Sequence, residues 1–331
     1  MADDLTFDPP LEEIEDDAWL PAVTAMAERN GWHEALGEHH HALHVDAAPK
    51  LIVTFEHMDD VQETAPGAEP AGLILARETG RSILTILSER GGFFRDEAIY
   101  DLFDRLVDED FFEEFDEVLF YGAGPACGYA ACAYSVAAPG ARVLALSPMA
   151  TGDSEISGWD DRYPEAWRLD FGTRYGFAPE MIDAAAGVTV IFDPLTAPNA
   201  MHAALFVRPN VTRLRMRRFG RTLDVPLQRM GIWTDVILGA ADGTLDRLAF
   251  AKLLRARRDD FHFVRALVAN LAQTKQVKRE GLVLRAVEDR LSSKWFRRRA
   301  GIVQNTLEAE DDALPPRRTE ADSEGDAAEA S

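Results

Sequence analysis

The sequence predicts an α/β domain in three layers: a mostly parallel β-sheet between helices, followed by a C-terminal helical extension. Three observations predict this fold. Short apolar runs alternate with amphipathic helical patterns, the order typical of parallel strands joined by crossover helices. One of these runs leads into a glycine turn and a segment of small residues. From about Leu223 onwards the pattern is helical.

The first half of the domain contains two predicted helices and three predicted strands. Ala18–Arg29 has apolar residues at helical spacing and ends at Asn30-Gly31, a pair typical of a helix C-terminus. Three short apolar or alternating runs predict strands, and Glu63–Ala71, with two prolines, predicts a loop. Arg95–Val107 again repeats apolar residues at helical spacing. The three strands are His41–Val45, Leu51–Phe55 and Ser82–Leu87.

The second half repeats the alternation of strand and helix. Apolar runs predict four further strands, and small-residue or amphipathic segments predict two helices between them. The helical region after Leu223 has breaks near Ala241–Gly243 and Gln273–Glu280. The strands are Val118–Tyr121, Arg142–Ser147, Gly187–Asp193 and Val211–Arg217, and the helices are Tyr129–Val136 and Ala200–Phe206.

The net charge of −22 is concentrated at the two ends of the chain. Residues 1–17 carry eight acids and no base, and residues 305–331 carry nine acids and two arginines. Such segments bury too little apolar surface to offset the entropy of ordering. We therefore expect a poorly ordered N-terminus (1–17), an α/β domain (18–240), a helical extension packed on it (241–304) and a disordered acidic tail (305–331). The acidic balance disfavours nucleic-acid binding.

Cysteine usage and hydropathy predict a soluble cytoplasmic protein. Cys127 and Cys132 lie in one predicted helix with side chains in different directions, so a structural disulfide is not expected. No apolar run reaches the roughly 18 residues that span a bilayer, and the first residues are acidic. Neither a cofactor nor a metal is predicted, and the sequence does not determine the oligomeric state.

The turn after the strand Val118–Tyr121 has the pattern of a nucleophile elbow that lacks its serine. An elbow, G-x-S-x-G, places the nucleophile on a strained strand-to-helix turn with small residues two positions away on either side. Two registers fit: Gly122 to Ala126, with Gly124 in the nucleophile position, and Gly124 to Gly128, with Ala126 there. Neither side chain can attack a substrate. Because a helix N-terminus offers unpaired N–H groups, Gly122, Gly124, Ala126 and Gly128 are predicted to bind an anion or a carbonyl.

This turn and three later segments resemble a divergent branch of the α/β-hydrolase superfamily, of the polysaccharide-biosynthesis type. The later segments are Phe192-Asp193-Pro194, Asn199 to Leu205, and Phe219 to Thr222. The resemblance covers roughly residues 50–240. It implies that the acid is Asp193 and that Arg221, after Gly220, stands where the family has its catalytic histidine. Serine hydrolase activity is therefore not expected.

The whole chain is also similar to alphaproteobacterial proteins often labelled phosphoadenosine phosphosulfate reductase. The chemistry of that label needs a pyrophosphate loop of the S-G-G-x-D-S type and a cysteine near the C-terminus. Neither motif is present. The residues between Ser154 and Asp161 include serines, a glycine and aspartates, but without that spacing.

Several residues admit a chemical and a structural interpretation. Cys127 could be a nucleophile or a small buried residue, and the tyrosine two positions later fits a nucleophile poorly. Asp193 could bind a ligand or cap the following helix. His202 could face the cleft or pack on its helix. Among the arginines of 213–221, Arg218 and Arg221 could hold an anionic ligand or pair with acidic neighbours.

Two further clusters have mainly structural interpretations. His33, His39, His40, His41 and His44 could bind zinc, but in a strand successive side chains point to opposite faces. Lys294 to Arg299 is basic and aromatic, and could meet acidic lipids or RNA. Cations near the C-terminus of a helix need no such partner.

The leading functional prediction is a catalytically degenerate hydrolase fold. It would bind an anionic or carbohydrate-type small molecule, or a protein partner, in the former active-site cleft. The alternative is an active enzyme that uses Cys127, or a relocated base such as His202 with Asp193, for acyl or sulfur chemistry. A third hypothesis is a scaffold whose acidic tail or basic helix recruits partners.

Overall fold

The computed structural model describes residues 5–89, 92–309 and 314–315. The chain divides into two compact units, Met1–Arg255 and Ala256–Ser331. Most of the predicted disordered tail, 310–313 and 316–331, lies outside the described residues. Residues 305–309 of that tail are helical instead, because the buried Leu307 fixes the last helical turns in the core of the second unit.

The first unit contains one eight-stranded, mostly parallel sheet, so the predicted fold class is confirmed. Its order is β1-β2-β4-β3-β5-β6-β7-β8. The pairs β1–β2 and β2–β4 are antiparallel, and the other five pairs are parallel. The strands are β1 (Gly31–Leu36), β2 (His40–Val45), β3 (Lys50–His57), β4 (Ser82–Ser88), β5 (Glu117–Ala123), β6 (Arg142–Leu146), β7 (Gly187–Phe192) and β8 (Val211–Arg215).

Eleven α-helices are described in the first unit and three in the second. Those of the first unit are α1 (Asp16–Asn30), α2 (Met58–Thr64), α3 (Ala71–Thr79), α4 (Glu97–Asp108), α5 (Pro125–Tyr134), α6 (Ser154–Ser157), α7 (Ala178–Met181), α8 (Ala197–Leu205), α9 (Asp224–Arg229), α10 (Trp233–Ala241) and α11 (Arg247–Leu253). Those of the second are α12 (Phe261–Gln273), α13 (Val277–Val287) and α14 (Lys294–Ala309). None of the described helices is long and apolar enough to cross a membrane.

Alternate residues of the central strands face two helical layers. Val53 and Phe120 belong to the main apolar core, which α4 and α5 complete. On the opposite face, Thr54 lies against α3, and Tyr121 accepts a hydrogen bond from Trp233 Nε1 of α10 at 2.9 Å. The two helical layers therefore pack on opposite faces of β3 and β5.

Two elements differ from the sequence prediction. Asn30-Gly31 ends α1 as predicted, but Gly31 also begins β1, a strand that the sequence analysis left out. The predicted loop Glu63–Ala71 is shorter, because α2 continues to Thr64 and α3 begins at Ala71. In α3, Gly72 to Ala76 are all buried against the sheet, so tertiary packing rather than an amphipathic pattern stabilises this helix.

The described part of the acidic N-terminus is held to the first unit by apolar residues. Leu5 and Leu11 are buried, and Arg77 Nη1 donates a hydrogen bond to the carbonyl oxygen of Leu5 at 3.2 Å. The charge of residues 1–17 predicts poor order, and these two buried leucines oppose it. Burial of the leucines offsets part of the entropy of ordering the segment.

Candidate functional site

The strand-to-helix turn after β5 has the geometry of an elbow with Gly124 at its apex. Gly124 has a φ of 94°, which a residue with a side chain rarely adopts. A Cβ atom at Gly122 would lie 2.0 Å from the carbonyl oxygen of Cys127, so position 122 must be glycine. The register is therefore Gly122 to Ala126, and the position of the nucleophile is occupied by a residue without a side chain.

Pro125 lacks the backbone N–H that a nucleophile elbow uses at this position. In an elbow, the backbone N–H of the residue after the nucleophile helps to stabilise the oxyanion. Pro125 occupies that place as the first residue of α5 and has no N–H to donate. The backbone anion site predicted after Gly124 therefore lacks a donor at its first position. The nearest N–H groups of the first turn belong to Ala126 and Cys127.

A cavity of about 270 Å³ opens beside the turn. It lies at the carboxyl ends of the parallel strands, where open α/β sheets bind ligands. Its walls come from the end of β3, from α2 and the start of α3, from the turn, and from the segment that follows β8. Residues that bear on its chemistry are Glu56, His57, Asp60, Glu69, Gly124, Pro125, Cys127, Tyr163, Arg221, Asp224 and Gln228.

Glu56 fixes two walls of this cavity relative to each other. Its carboxylate accepts hydrogen bonds from Thr54 Oγ1 and from the backbone N–H groups of Ala71 and Gly72, at 2.6 to 3.0 Å. These bonds hold the beginning of α3 against the end of β3. Burial raises the pKa of the Glu56 carboxyl, and hydrogen bonding opposes the rise.

Carboxyl groups outnumber cations around the cavity. Glu56, Asp60, Glu69 and Asp224 line it together with Arg221 and His57. Burial raises the pKa of Asp224, and the charge of Asp60 raises it further. Excess negative charge of this kind disfavours anionic ligands. The predicted preference for an anion is therefore opposed by the charge of the cavity.

His57 and Asp60 form an ion pair at the rim of this cavity. His57 Nδ1 lies 3.4 Å from Asp60 Oδ2, and His57 Nε2 lies 3.0 Å from the carbonyl oxygen of Gly92. Both ring nitrogens therefore face acceptor oxygens. The hydrogen bond from His57 holds the pKa of Asp60 below its ordinary value.

Cys127 lines the same cavity but is poorly suited to act as a nucleophile. It is buried in the first turn of α5. Burial raises the pKa of its thiol well above the ordinary value, and the charges of Asp60, Glu56 and Asp224 raise it further. The reactive form of cysteine is the thiolate. Cys127 and Cys132 are both free thiols.

Asp193, the predicted acid, accepts hydrogen bonds from backbone N–H groups, and within the described part of the chain its carboxylate has no side-chain partner. Its Oδ1 accepts the N–H of Leu195 at 2.9 Å, and its Oδ2 accepts the N–H groups of Phe219 and Gly220 at 2.8 Å. The carboxylate thus fixes the turn after β7 and the loop after β8. The loop that would carry a catalytic histidine approaches Asp193 through its main chain.

His202, the predicted relocated base, is fully buried in a separate network. Its Nδ1 accepts the backbone N–H of Ala150 at 3.1 Å, so its Nε2 carries the proton and donates to Asp160 at 3.0 Å. Arg162 also binds Asp160 through two nitrogens, at 2.6 and 2.7 Å. Burial lowers the pKa of His202 to about 4, which keeps the ring neutral.

The predicted site residues therefore separate into groups. Cys127, Gly124 and Arg221 line the cavity. Gly122, Ala126 and Gly128 shape the turn: Ala126 lies within α5, and Gly128 packs closely on Pro148. Asp193, His202 and Arg218 do not line the cavity. Arg218 has a φ of 74° in the loop after β8.

Sequence reasoning missed Glu56, His57, Asp60 and Asp224, because strand ends and helix starts carry no motif that marks them.

The histidine cluster near the N-terminus forms a hydrogen-bonded chain. His33 Nε2 lies 3.1 Å from His41 Nδ1, and His41 Nε2 lies 2.8 Å from Glu89 Oε1. His44 turns to the carbonyl oxygen of Ile83 at 2.8 Å. Across the part of the chain that the structure describes, no three His, Cys, Asp or Glu side chains are placed to hold a metal ion.

Three residues of the basic segment at the start of α14 make contacts within the second unit. Phe296 is buried in its core, and Arg299 forms an ion pair with the buried Glu280. The guanidinium of Arg265 lies 5.6 Å from the centre of the Trp295 ring. These contacts favour the structural interpretation of the segment.

No family model matches the chain, and no curated protein matches it. Among solved structures, an esterase of Pyrobaculum calidifontis shares 15% identity over 62% of this chain and 82% of its own, with a TM-score of 0.43. A hormone-sensitive lipase from a metagenome library shares 12% identity over 71% and 94%, with a TM-score of 0.42. Carboxyl esterase 2 of the fungus Tuber melanosporum shares 13% identity over 62% and 80%, with a TM-score of 0.38. None of these three carries the reductase label, and at such values the likeness says nothing about activity.

The mostly parallel sheet and the elbow after β5 agree with the family resemblance seen in the sequence. The elbow lies at the carboxyl end of a central strand, with the predicted acid at the end of β7 and the loop after β8 beside it. The chain has an α/β-hydrolase-like fold.

Proposed function

We propose that this protein is a catalytically degenerate α/β-hydrolase-like protein that binds a small, hydroxyl-rich, carbohydrate-type ligand in the cavity beside Gly124. The observation that carries the proposal is the pair Gly124-Pro125. The first residue supplies no nucleophile at the apex of the turn, and the second supplies no oxyanion N–H. The absence of both from one turn argues against acyl transfer there.

Neither Asp193 nor His202, the acid and the relocated base that the sequence predicts, is placed to act as a general base at the turn. Asp193 is engaged by three backbone N–H groups, and His202 by Asp160 and Ala150. A general base must reach the proton that it removes, within about 3.2 Å or through one water. Neither residue lines the cavity.

The polar groups that do line the cavity favour a neutral, hydroxyl-rich ligand over an anion. Carboxylates accept several hydrogen bonds from hydroxyl groups, and Tyr163 adds an aromatic ring to the wall. The cavity of about 270 Å³ is close to the lower end, about 300 Å³, of ordinary ligand sites. A ligand of one or two sugar rings is therefore preferred to a longer chain.

Calorimetric titration of the full chain with neutral monosaccharides and disaccharides, and with sugar phosphates in parallel, tests this proposal. We expect saturable binding of a neutral sugar and weaker or no binding of its phosphate. Asp224→Asn should weaken sugar binding about tenfold, the weight of one hydrogen bond to a charged group. Asp235→Asn, on the exposed side of α10, is the matched control and should leave binding unchanged.

Two results would contradict the proposal. Turnover of simple esters or thioesters that Asp193→Ala abolishes would show a working acid. Tighter binding of sugar phosphates than of the neutral sugars would show that the positive charge of Arg221 determines the ligand preference of the cavity.

A second candidate, an enzyme that uses Cys127, has one observation in its favour. Cys127 lines the same cavity as the ion pair of His57 and Asp60, so a thiol, an imidazole and a carboxylate share one site. The raised pKa of the thiol opposes this reading. The test is the rate of iodoacetamide labelling of Cys127 at pH 7. Fast labelling that His57→Gln slows would support the enzyme, and labelling only after unfolding would exclude it.

A further inference from the structure

The second unit contains a groove between α13 and α14 with an apolar floor and a polar, charged rim. Its volume is about 500 Å³, and its walls include Leu284, Phe296, Ala300 and Val303. All of these residues lie on α13 and α14, and three of them also belong to the core of the unit. The groove is thus an opening into the apolar interior of a three-helix unit.

A segment of the same chain already occupies part of this groove. The side chain of Leu314 packs against the core of the unit, next to Gly281 and Val303. A Cβ atom at Gly281 would lie 3.0 Å from Leu314 Cδ2, so the missing side chain of Gly281 makes room for the leucine. Arg285 Nη1 donates a hydrogen bond to the carbonyl oxygen of Pro315 at 2.7 Å.

The groove and the sequence that precedes Leu314 carry opposite charges. The residues before Leu314 include the acids Glu308, Glu310, Asp311 and Asp312. Arg285 and Arg297 line the groove, and the one acid among its lining residues is Glu288. The groove is not filled by Leu314, which is itself one of its lining residues. Room remains for further apolar groups of a longer peptide.

We propose that this groove is a docking site for a protein partner that presents a Leu-Pro pair preceded by acidic residues. Leu314 and Pro315 are its intramolecular occupant, and the partner binds by displacing them. The chain between Ala309 and Leu314 is short, so the internal segment competes at an effective concentration in the millimolar range. Access to the groove is therefore controlled by the protein's own C-terminal region.

Fluorescence anisotropy with a labelled peptide of residues 308–318 tests the proposal on the full chain. The Leu314→Ala variant loses its internal occupant, so it should bind the peptide about tenfold more tightly than the wild type does. Gly281→Ala combined with Leu314→Ala should weaken binding relative to Leu314→Ala alone, because the added methyl group narrows the space that the leucine occupies. Alanine has a higher helix propensity than glycine, so this variant should still fold. Circular dichroism can verify that it does.

Two controls define specificity. Leu282→Ala, on the exposed side of α13 and outside the groove, should bind the peptide like the wild type. A peptide with alanine in place of its leucine should not bind the Leu314→Ala variant.

Three outcomes would overturn the proposal. One is equal affinity of the wild type and the Leu314→Ala variant, and another is undiminished binding by the double variant. The third is a wild-type dimer that Leu314→Ala abolishes, which would make a second copy of this chain the occupant of the groove.

Discussion

The carboxylate of Asp193 accepts the backbone N–H of Gly220 at 2.8 Å, in the loop where the family resemblance places a catalytic histidine. The same oxygen also accepts the N–H of Phe219 at 2.8 Å. A catalytic acid would orient an imidazole through this oxygen. Here the carboxylate orients the main chain, and its role is to hold the loop after β8.

Asp193→Asn should therefore reduce stability. The side-chain amide of asparagine has one acceptor oxygen, and its NH₂ group would face backbone N–H donors. The hydrogen bonds that these donors make to a charged carboxylate are therefore lost. We expect a loss of about 1.5 to 3 kcal/mol in the free energy of unfolding, measured by urea denaturation. Asp183→Asn, which alters an exposed ion pair with Arg208, is the control and should change stability far less. Unchanged stability of Asp193→Asn would contradict the structural role.

Gly124→Ser should restore the elbow serine without restoring esterase activity. Pro125 still lacks its N–H, and no histidine is supplied. Because the φ of 94° is costly for a residue with a Cβ atom, we expect a loss of roughly 1 to 2 kcal/mol of stability. Gly80→Ser, at a φ of 65° in the left-handed helical region at the end of α3 and away from the cavity, is the control for a side chain at positive φ. Hydrolysis of p-nitrophenyl acetate by Gly124→Ser alone would refute this prediction.

Gly122→Ala should be among the most damaging small substitutions in the chain. Its Cβ atom would lie 2.0 Å from the carbonyl oxygen of Cys127, a backbone atom that cannot swing aside. The turn and the start of α5 would have to separate, so we expect a lowered melting temperature and loss of ligand binding in the cavity. Gly92→Ala, where nothing lies within 4 Å of the added atom, is the control. A melting temperature equal to that of the control would show that the turn tolerates the displacement.

Stability should fall as the pH decreases from about 6.5 to about 4, in part because of His202. Its pKa is about 4 in the folded chain and near 6.5 when unfolded, so between these values the unfolded state binds the additional proton. The contribution lost is at most about 3 kcal/mol. His202→Gln, which keeps a donor and an acceptor, should flatten the dependence of unfolding free energy on pH within this window. A profile parallel to that of the wild type would contradict the assignment.

The sequence predicts the sheet well because most residues of its central strands are buried. The runs at β3, β4 and β5 are apolar on both faces, as parallel strands require, and they are bounded by turns. The strand β1 pairs only with β2 and carries Trp32, His33 and Glu34, so its sequence lacks that signal. Edge strands depend on their neighbour more than on their own residues.

The candidate site was only partly predictable, for a different physical reason. Gly122 and Gly124 are marked by backbone geometry that requires glycine, so the turn could be found from the sequence. Glu56, Asp60 and Asp224 reach the cavity through the positions of three separate elements. Their residue types are common on protein surfaces, and only the folded arrangement distinguishes them from solvated acids.

The exposed arginines of β8 have a consequence for self-association. Arg213 and Arg215 alternate with the buried Leu214 and Met216, and β8 pairs with β7 alone among the described strands. An unpaired strand edge is a template for intermolecular β-sheet extension and aggregation. Two such strands meeting edge to edge would bring rows of like positive charge together. Electrostatic repulsion between these arginines thus opposes the pairing of two copies of this acidic protein along the open edge of the sheet.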